Sequence, residues 1–425
     1  MHPDMTAARD IPAPQGARSL VPWLLVAAVP MIFALVTWQT SWSHSPVRDW
    51  LRQFGIPAVA GEICVIGWAM LRGAAPLGII AAQPRWVGAC LVGLIAIAFA
   101  TALLAAPDQV RALSWTFLWL VHLAFGLAVC GLVRSAEEWS KSAIWPAVVA
   151  GLCIYALLVV TFVHSVPDGR PFNWERFPLA GGNIRHIGHF STIGAAAAAG
   201  SAAFHRGWAR YAYWLAAAVM LSLSFWSGTR GSIVALWAAF VAGTVMIARL
   251  RSIGPWLALA ASTAAGALLS LAGPTPNSLF GMRRLAATLD APTADALASG
   301  RLAMWADAWA AFLRQPWFGY GQGQFPAVVE SQRLFNQPHN ILLQLLLQWG
   351  VIGTALALAL AAYVAWQCRN ALRSQSGIQA PAFLVAAAIF VMSLYDATLF
   401  HSYPTMMFAF SLAVLVGARD QRVRT

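Results

Sequence analysis

The sequence predicts an all-α, polytopic membrane protein with about twelve transmembrane helices. Hydrophobic residues make up 60% of the chain and charged residues only 10%, and the mean hydropathy is +0.66. Apolar runs of about 20 residues, the length that crosses the hydrocarbon core of a bilayer as a helix, recur along the chain. This combination is typical of integral membrane proteins.

The apolar runs divide the chain into twelve predicted spans. They cover residues 21–40, 56–72, 86–106, 112–133, 143–165, 188–204, 209–227, 231–248, 254–272, 340–367, 380–399 and 403–418. The second span contains Glu62, and the sixth contains the small-residue run GAAAAAGSAA, which favours tight helix packing over contact with lipid. These two are therefore the least typical of the set.

The distribution of basic residues predicts that both termini lie on the cytoplasmic side, where positive charge is retained near short loops. The predicted inner segments carry Arg9, Arg18, Arg72, Arg85, Arg134, Lys141, Arg206, Arg210, Arg249, Arg251, Arg369, Arg373, Arg419, Arg422 and Arg424. The short outer loops carry Arg48, Arg52, Arg111 and Arg230. This asymmetry explains the net charge of +12, so no nucleic-acid partner is needed.

Two predicted outer loops are longer than the others, and the larger of them separates the chain into three parts. Residues 1–272 hold spans one to nine, including the outer loop 166–187 with Asp168 and Arg170. Residues 273–339 form a large outer loop, and residues 340–425 hold the last three spans and a cytoplasmic tail. Loops carry much of a protein's function, so these two are where a site is expected.

The large loop contains an amphipathic helix, predicted over residues 300–315, in SGRLAMWADAWAAFLRQP. Leu302, Trp305, Trp309, Phe312 and Leu313 share helical spacing, with a serine before the helix as its expected cap and a proline after it. Its tryptophans suit the membrane–water interface. The following GYGQGQF lacks the strand and helix that flank a phosphate-binding glycine loop, so a flexible turn is expected there.

Polar residues on the predicted outer face are candidates for a substrate site. His339 ends the large loop, Arg230 lies in the turn SGTRGS, Arg301 opens the amphipathic helix, and Arg185 with His186 precedes the sixth span. Guanidinium groups match phosphate oxygens, so several at headgroup depth predict a site for a diphosphate on a lipid. An interfacial histidine or a snorkelling arginine is the alternative for each residue alone.

Several kinds of chemistry have no support in the sequence. Neither outer loop carries a close carboxylate pair of the kind that binds a divalent metal, and no zinc spacing, Walker loop or GxSxG motif occurs. We therefore expect no metal and no cofactor. Asp396 and His401, near the outer end of the eleventh span, and Tyr403, at the start of the twelfth, could complete the wall of this site; structural polar groups at helix ends are the favoured interpretation.

Three ordered motifs resemble the O-antigen ligase and polymerase superfamily of bacterial inner membranes. They are SGTRGS, SGRLAMWADAWAAFLRQPWFGYGQGQF and HNILLQLLLQWGVIG, and the resemblance extends from about residue 185 onward. It implies a multi-pass inner-membrane transferase, with the outer loops in the periplasm, that takes a glycan from undecaprenyl diphosphate. In ligases the acceptor is a sugar of the lipid A core.

The resemblance also implies roles for individual residues. His339 is the general base and Arg230 and Arg301 hold the diphosphate, while Arg185, His186 and Asn340 of the HN motif contact substrate. An acidic residue often precedes the closing glycines of this motif, but Gln348 and Trp349 stand there instead. Histidine suits the base because its charge changes near neutral pH, and the single displacement it assists inverts the anomeric centre.

Other functions remain open at this stage. A polymerase would transfer to a second lipid-linked repeat, a protein O-oligosaccharyltransferase would transfer to a side chain such as serine, and a transporter or flippase would only move the lipid-linked glycan. A transporter is disfavoured because its polar residues would follow a path through the bilayer rather than collect on one face. The short, tryptophan-rich loop helix favours the ligase.

Overall fold

The computed structural model confirms the all-α prediction over the residues that it describes. These are residues 19–40, 55–74, 76–166, 172–274, 280–287, 293–332, 335–372 and 376–418. In these ranges the chain forms α-helices, short 3₁₀ turns and connections, with no β-strand. Asp168, Arg170, the residues before 19 and the predicted cytoplasmic tail after 418 lie outside the described residues.

A helix occupies each of the twelve predicted spans, and a thirteenth occupies the large loop. These helices are α1 (Val21–Thr40), α2 (Ile56–Leu71), α3 (Arg85–Leu104), α4 (Gln109–Ser135), α5 (Ile144–Ser165), α6 (Ile187–Ala202), α7 (Gly207–Trp226), α8 (Arg230–Met246), α9 (Ile253–Ser270), α10 (Arg301–Arg314), α11 (Ile341–Ala371), α12 (Gln379–Ser393) and α13 (Ser402–Gly417). Shorter helices are Pro76–Ala81, Glu138–Ser142, Gly281–Ala286, Ala294–Leu297 and Phe325–Val328.

Six helical segments among the described residues are long and apolar enough to cross a membrane. They are Val21–Gln39, Arg85–Leu104, Gln109–Ser135, Glu138–Ser165, Ile253–Ser270 and Ile341–Ala371. Four more helices, α2, α8, α12 and α13, are apolar but shorter. The chain is thus a helical protein with several candidate membrane spans, and the total of twelve stays a prediction.

Helix α6 lies at the centre of the fold. All of its residues are buried, and it packs against α5, α7, α8 and α12. Its alanines and glycines permit this close packing, as the small-residue run predicts: Gly200 lies against the backbone of Pro381, and Gly194 lies against the side chain of Met220. The N-terminus of α6 therefore holds the residues just before it in a fixed, central position.

Helix α11 is broken at Gly350, whose φ of 61° and ψ of −167° are not helical. In a continuous helix the amides of Val351 and Ile352 would bond the carbonyls of Leu347 and Gln348. Here the amides of Val351 and Ile352 donate instead to the carbonyls of Pro316 and Trp317, at 2.8 and 3.2 Å. The carbonyls of Leu347 and Gln348 accept from the amides of Tyr320 and Gly321, at 2.8 and 2.9 Å. The loop after α10 thus satisfies all four groups that the break exposes.

The expectation that GYGQGQF is a flexible turn is wrong. Its glycines all have positive φ, between 69° and 85°, and Tyr320, Gln322 and Gln324 are buried. The Gln324 side chain pairs with the backbone of Asp108 through two hydrogen bonds of 2.9 and 3.0 Å. Arg111 donates to the carbonyl of Gly323 at 2.6 Å. We call residues 315–324, which include most of this motif, the docked loop. The docked loop is anchored on α4 and α11.

The amphipathic helix α10 is present at Arg301–Arg314, close to the predicted 300–315. Its predicted cap is wrong: the Asp295 carboxylate, not Ser299, accepts from the amides of Leu302 and Ala303, at 2.9 and 3.4 Å. The buried face is Met304, Ala308, Ala311 and Phe312. Leu302, Trp309 and Leu313 are exposed, so the location of this helix at a membrane surface stays a prediction.

We predict that Gly319→Ala destabilises the fold, because a Cβ there would lie 2.5 Å from the carbonyl oxygen of Leu347 and the residue would keep a φ of 71°. The left-handed conformation alone costs a non-glycine residue about 1–2 kcal/mol. Gly67→Ala is the matched control, since a Cβ at that helical position meets no atom within 4 Å, and alanine favours a helix by about 0.5–1 kcal/mol. Thermal unfolding in detergent measures both, and equal melting temperatures for the two variants would contradict the docked loop.

Candidate functional site

The turn before α11 holds His339 rigidly. His339 has a φ of 53°, an uncommon conformation outside glycine. Next to it, the Asn340 Oδ1 caps α11 by accepting from the amides of Leu342 and Leu343, and its Nδ2 donates to the carbonyl of Leu394 at 3.1 Å. The Trp305 Nε1 donates to the carbonyl of Pro338 at 2.9 Å. Asn340 therefore positions the histidine, and its predicted contact with substrate stays a prediction.

Asp396 lies at the centre of the site, between α12 and α13. Its Oδ1 accepts from His339 Nδ1 at 3.0 Å and from the amide of Ala397 at 2.8 Å. The Arg301 guanidinium is 3.5 Å from the same oxygen, and His189 Nε2 is 3.6 Å from Oδ2. Burial raises the pKa of Asp396, but its interactions with His189 and His339 outweigh burial and hold this pKa well below its ordinary value. Asp396 is therefore an ionised acceptor.

This contact determines which nitrogen of His339 can react. A carboxylate accepts hydrogen bonds, so Nδ1 of His339 carries the proton that faces Asp396. Nε2 is the ring nitrogen left to accept a proton from a substrate, and the His339 side chain is 20% exposed. The pair has the arrangement of a general base held by an orienting carboxylate.

Arginines from distant parts of the chain meet beside this pair. Arg230 begins α8 and donates to Ser299 Oγ at 3.1 Å, which places it next to the start of α10 and Arg301. The carbonyl of Arg185 accepts from Thr229 Oγ1 at 3.4 Å. The structure therefore brings together all three arginines that the sequence predicts.

A fourth arginine, Arg284, joins this group. It lies on the short helix Gly281–Ala286 with its side-chain carbons against Gly228, where a Cβ would collide with them. Burial, and then the charges of Arg185 and Arg230, lower the pKa of Arg284 to about 10. Burial, and then the charge of Arg301, likewise lower the pKa of Arg185. The like charges oppose one another, so a bound anion would stabilise the group.

Three histidines pack behind Asp396. The ring centroids of His186 and His401 are 4.1 Å apart, and His189 is 5.2 Å from each of them. Burial, and then the charge of His189, lower the pKa of His186 to about 3, and its Nδ1 donates to the carbonyl of Ala180 at 3.0 Å. His186 is therefore neutral, and its predicted contact with substrate, which stays a prediction, would not involve a positive charge.

Sequence reasoning gave Asp396 too little weight and did not single out Arg284 or His189 as site residues. Asp396 was interpreted as a structural group at a helix end, but it contacts both His339 and Arg301. Its sequence signal is its position at the outer end of the eleventh predicted span, close to His401 and Tyr403. Among the described residues, no group of three or more His, Cys, Asp or Glu side chains is arranged to hold a metal ion.

We predict that inorganic diphosphate stabilises the protein, because binding to the folded state alone adds free energy by mass action. At about 100 times Kd the gain is about 2.7 kcal/mol, which a thermal melt in detergent detects. The variant Arg301→Lys keeps the charge but loses the planar fork, so a smaller shift is expected. Sodium chloride at matched ionic strength is the control, and equal melting shifts with chloride and diphosphate would contradict an anion site.

Part of the chain matches a known protein family. Residues 215–358, about a third of the chain, match a family model described as O-antigen ligase. The matched stretch includes Arg230, Arg301 and His339, and it ends before Asp396. A comparison with curated proteins finds no match. The family match confirms the resemblance to the O-antigen ligase family that the sequence motifs predict.

Proposed function

We propose that this protein is a glycosyltransferase that moves O-antigen glycan from undecaprenyl diphosphate to a sugar of the lipid A core. The family match supports glycosyl transfer of the O-antigen ligase or polymerase type. The observation that carries the proposal is the contact between His339 and Asp396 at 3.0 Å, beside four clustered arginines. A general base thus lies next to a site for an anionic leaving group.

In the proposed reaction, His339 Nε2 accepts the proton of the acceptor hydroxyl as its oxygen attacks the anomeric carbon. Asp396 holds the opposite nitrogen and stabilises the imidazolium that forms. The bond between the anomeric carbon and the diphosphate oxygen breaks, and its electron pair leaves on the diphosphate. One displacement of this kind inverts the anomeric centre.

The arginines have the second role in this mechanism. Negative charge grows on the diphosphate as the glycosidic bond breaks, and fixed guanidinium groups stabilise it without rearranging. Arg301 is the cation nearest the base, since it is 3.5 Å from the carboxylate that His339 contacts. We assign Arg301 and Arg230 to the leaving group. Since arginines supply the positive charge, the proposed reaction needs no metal and no cofactor.

The proposed location is the bacterial inner membrane, with the site facing the periplasm. The candidate spans support a multi-pass membrane protein. The site residues lie at one end of the bundle, at the N-termini of α6, α8 and α11. The excess of basic residues predicted at the opposite end supports that end as cytoplasmic. The donor's tail would then remain in the bilayer while its glycan faces the periplasm.

Transfer of a labelled glycan in detergent tests this function. Purified protein receives undecaprenyl diphosphate-linked O-antigen with lipid A core as the only added acceptor, and the products are resolved by mass. We expect the glycan on a core sugar. Longer lipid-linked glycan would identify a polymerase instead. In a parallel reaction with a serine peptide in place of the lipid A core, glycan attached to the peptide would identify a protein O-oligosaccharyltransferase. A transporter forms no covalent product when no membrane separates two compartments.

We predict that His339→Ala lowers the turnover number about 100- to 10,000-fold, the usual contribution of a general base. Asp396→Asn is expected to cause a loss of similar order, because an amide can donate to Nδ1 and select the wrong tautomer. His205→Ala is the matched control, since His205 lies beyond the far end of α6 and bonds the carbonyl of Ser201. Glycan transfer rates measure all three, and near wild-type turnover in His339→Ala would refute the base assignment.

A further inference from the structure

Arg111 is one of the basic residues at the predicted outer ends of the spans, where positive charge is uncommon. It lies in the first turn of α4, and its side chain reaches two segments that are distant in sequence. Its Nε donates to the carbonyl of Gly323 in the docked loop at 2.6 Å, and its Nη2 donates to Oδ1 of Asn336 at 3.0 Å. One guanidinium therefore joins the docked loop to the segment that leads to His339.

The start of α4 also holds Arg111 and the docked loop in place. Asp108 caps this helix, since its Oδ1 accepts from the amide of Arg111 at 2.9 Å. The backbone of Asp108 exchanges two hydrogen bonds with the side chain of Gln324 in the docked loop. A guanidinium is planar and donates in fixed directions. The start of α4, the docked loop and Asn336 therefore keep one relative arrangement.

Helix α4 also contacts the segment that carries Asp396. Trp115 lies one turn after Arg111, and the centroids of the Trp115 and Phe400 rings are 4.3 Å apart. Both rings belong to a buried cluster that includes Ala397, whose amide donates to Oδ1 of Asp396 at 2.8 Å. The same part of α4 thus supports both the base and the carboxylate that orients it.

The backbone of His339 needs support on both sides. Its φ of 53° is unfavourable for a residue with a side chain, and such a conformation persists only where the surrounding structure holds it. The cap of α11 supplies this support after His339. Before it, Trp305 holds the carbonyl of Pro338 and Arg111 holds the side chain of Asn336. Asn336 is the third residue before His339, so movement of Asn336 would displace the imidazole.

We propose that Arg111 is a positioning residue for the general base, an inference that rests on the proposed function. Through Asn336 it holds residues 336–339 against the docked loop. His339 Nδ1 then stays on Asp396, and Nε2 stays turned toward the acceptor hydroxyl. The family match begins at residue 215, so Arg111 and α4 support the base from outside the matched stretch.

Steady-state kinetics of glycan transfer test this role. Displacing a reacting group by about 1 Å can cost about 100-fold in rate. We expect Arg111→Gln and Asn336→Ala each to lower the turnover number by about 10- to 100-fold, while the KM for the donor changes by less than about twofold. Asn336 is exposed, so its alanine variant tests the contact even if Arg111→Gln does not fold.

Arg85→Gln is the matched control, because Arg85 is exposed at the first residue of α3. It removes one positive charge and is expected to leave the turnover number unchanged. Wild-type turnover in Asn336→Ala would overturn the inference. An increased KM with unchanged turnover in Arg111→Gln would also overturn it, since Arg111 would then be a cation that binds substrate.

A double-mutant cycle separates positioning from a general role in folding. If Arg111 acts through the base, it has nothing left to position once the imidazole is removed. We therefore expect Arg111→Gln to lower the residual turnover of His339→Ala by less than about twofold. An equal fold loss in both backgrounds would show that Arg111 only stabilises the fold, and the inference would fail.

A second measurement does not require glycan transfer, so the two proposals fail separately. Diethyl pyrocarbonate modifies neutral imidazoles, and peptide mass spectrometry follows the rate at each histidine. We expect faster modification of His339 in Arg111→Gln and Asn336→Ala than in the wild type, while the exposed His164 reacts at an unchanged rate. Faster modification in a protein that transfers no glycan would refute the proposed function and leave the positioning role standing. Equal rates in a protein that does transfer glycan would refute the positioning role alone.

Discussion

The Asp396 carboxylate is the group on which the organisation of the site depends. One of its oxygens accepts from His339 and lies near Arg301, and the other faces His189. These residues come from three separate regions of the chain, so a single anion connects the turn before α11, the start of α10 and the start of α6. Tyr395 strengthens this arrangement, since its hydroxyl donates to the carbonyl of Gly231 at 2.6 Å and ties the same connection to α8.

The arginines beside this carboxylate oppose the stability of the fold. Burial and like charge both disfavour the ionised forms of Arg185, Arg230 and Arg284, and the acids that act on Arg185 are Asp396 and Glu175. Sites that bind charged ligands commonly lower stability in this way. A diphosphate would relieve the repulsion, which is why the same feature that destabilises the protein without ligand would favour an anionic substrate.

Much of the fold could be predicted from the sequence, because lipid imposes a simple length and composition on each span. The helices at Val21–Thr40 and Ile56–Leu71 begin at the predicted residues. The candidate arginines and histidines also lie close together, because every second loop between consecutive spans is expected at the same end of the bundle. The role of Asp396 could not be identified in this way: its side-chain partners are more than 50 residues distant in sequence, and no local pattern distinguishes it from a structural residue at a helix end.

The docked loop shows a second limit of local patterns and explains how the base is held. Glycine-rich sequence outside regular structure predicts flexibility, but positive φ is also what a tightly packed turn requires. Backbone groups freed by a break in a candidate membrane helix must find partners within the protein, and residues 316–321 supply them at Gly350. The same loop is bonded to α10 through Tyr320 and the carbonyl of Ala311. The break in α11 therefore fixes α10, and with it Arg301, relative to His339 at the start of the broken helix.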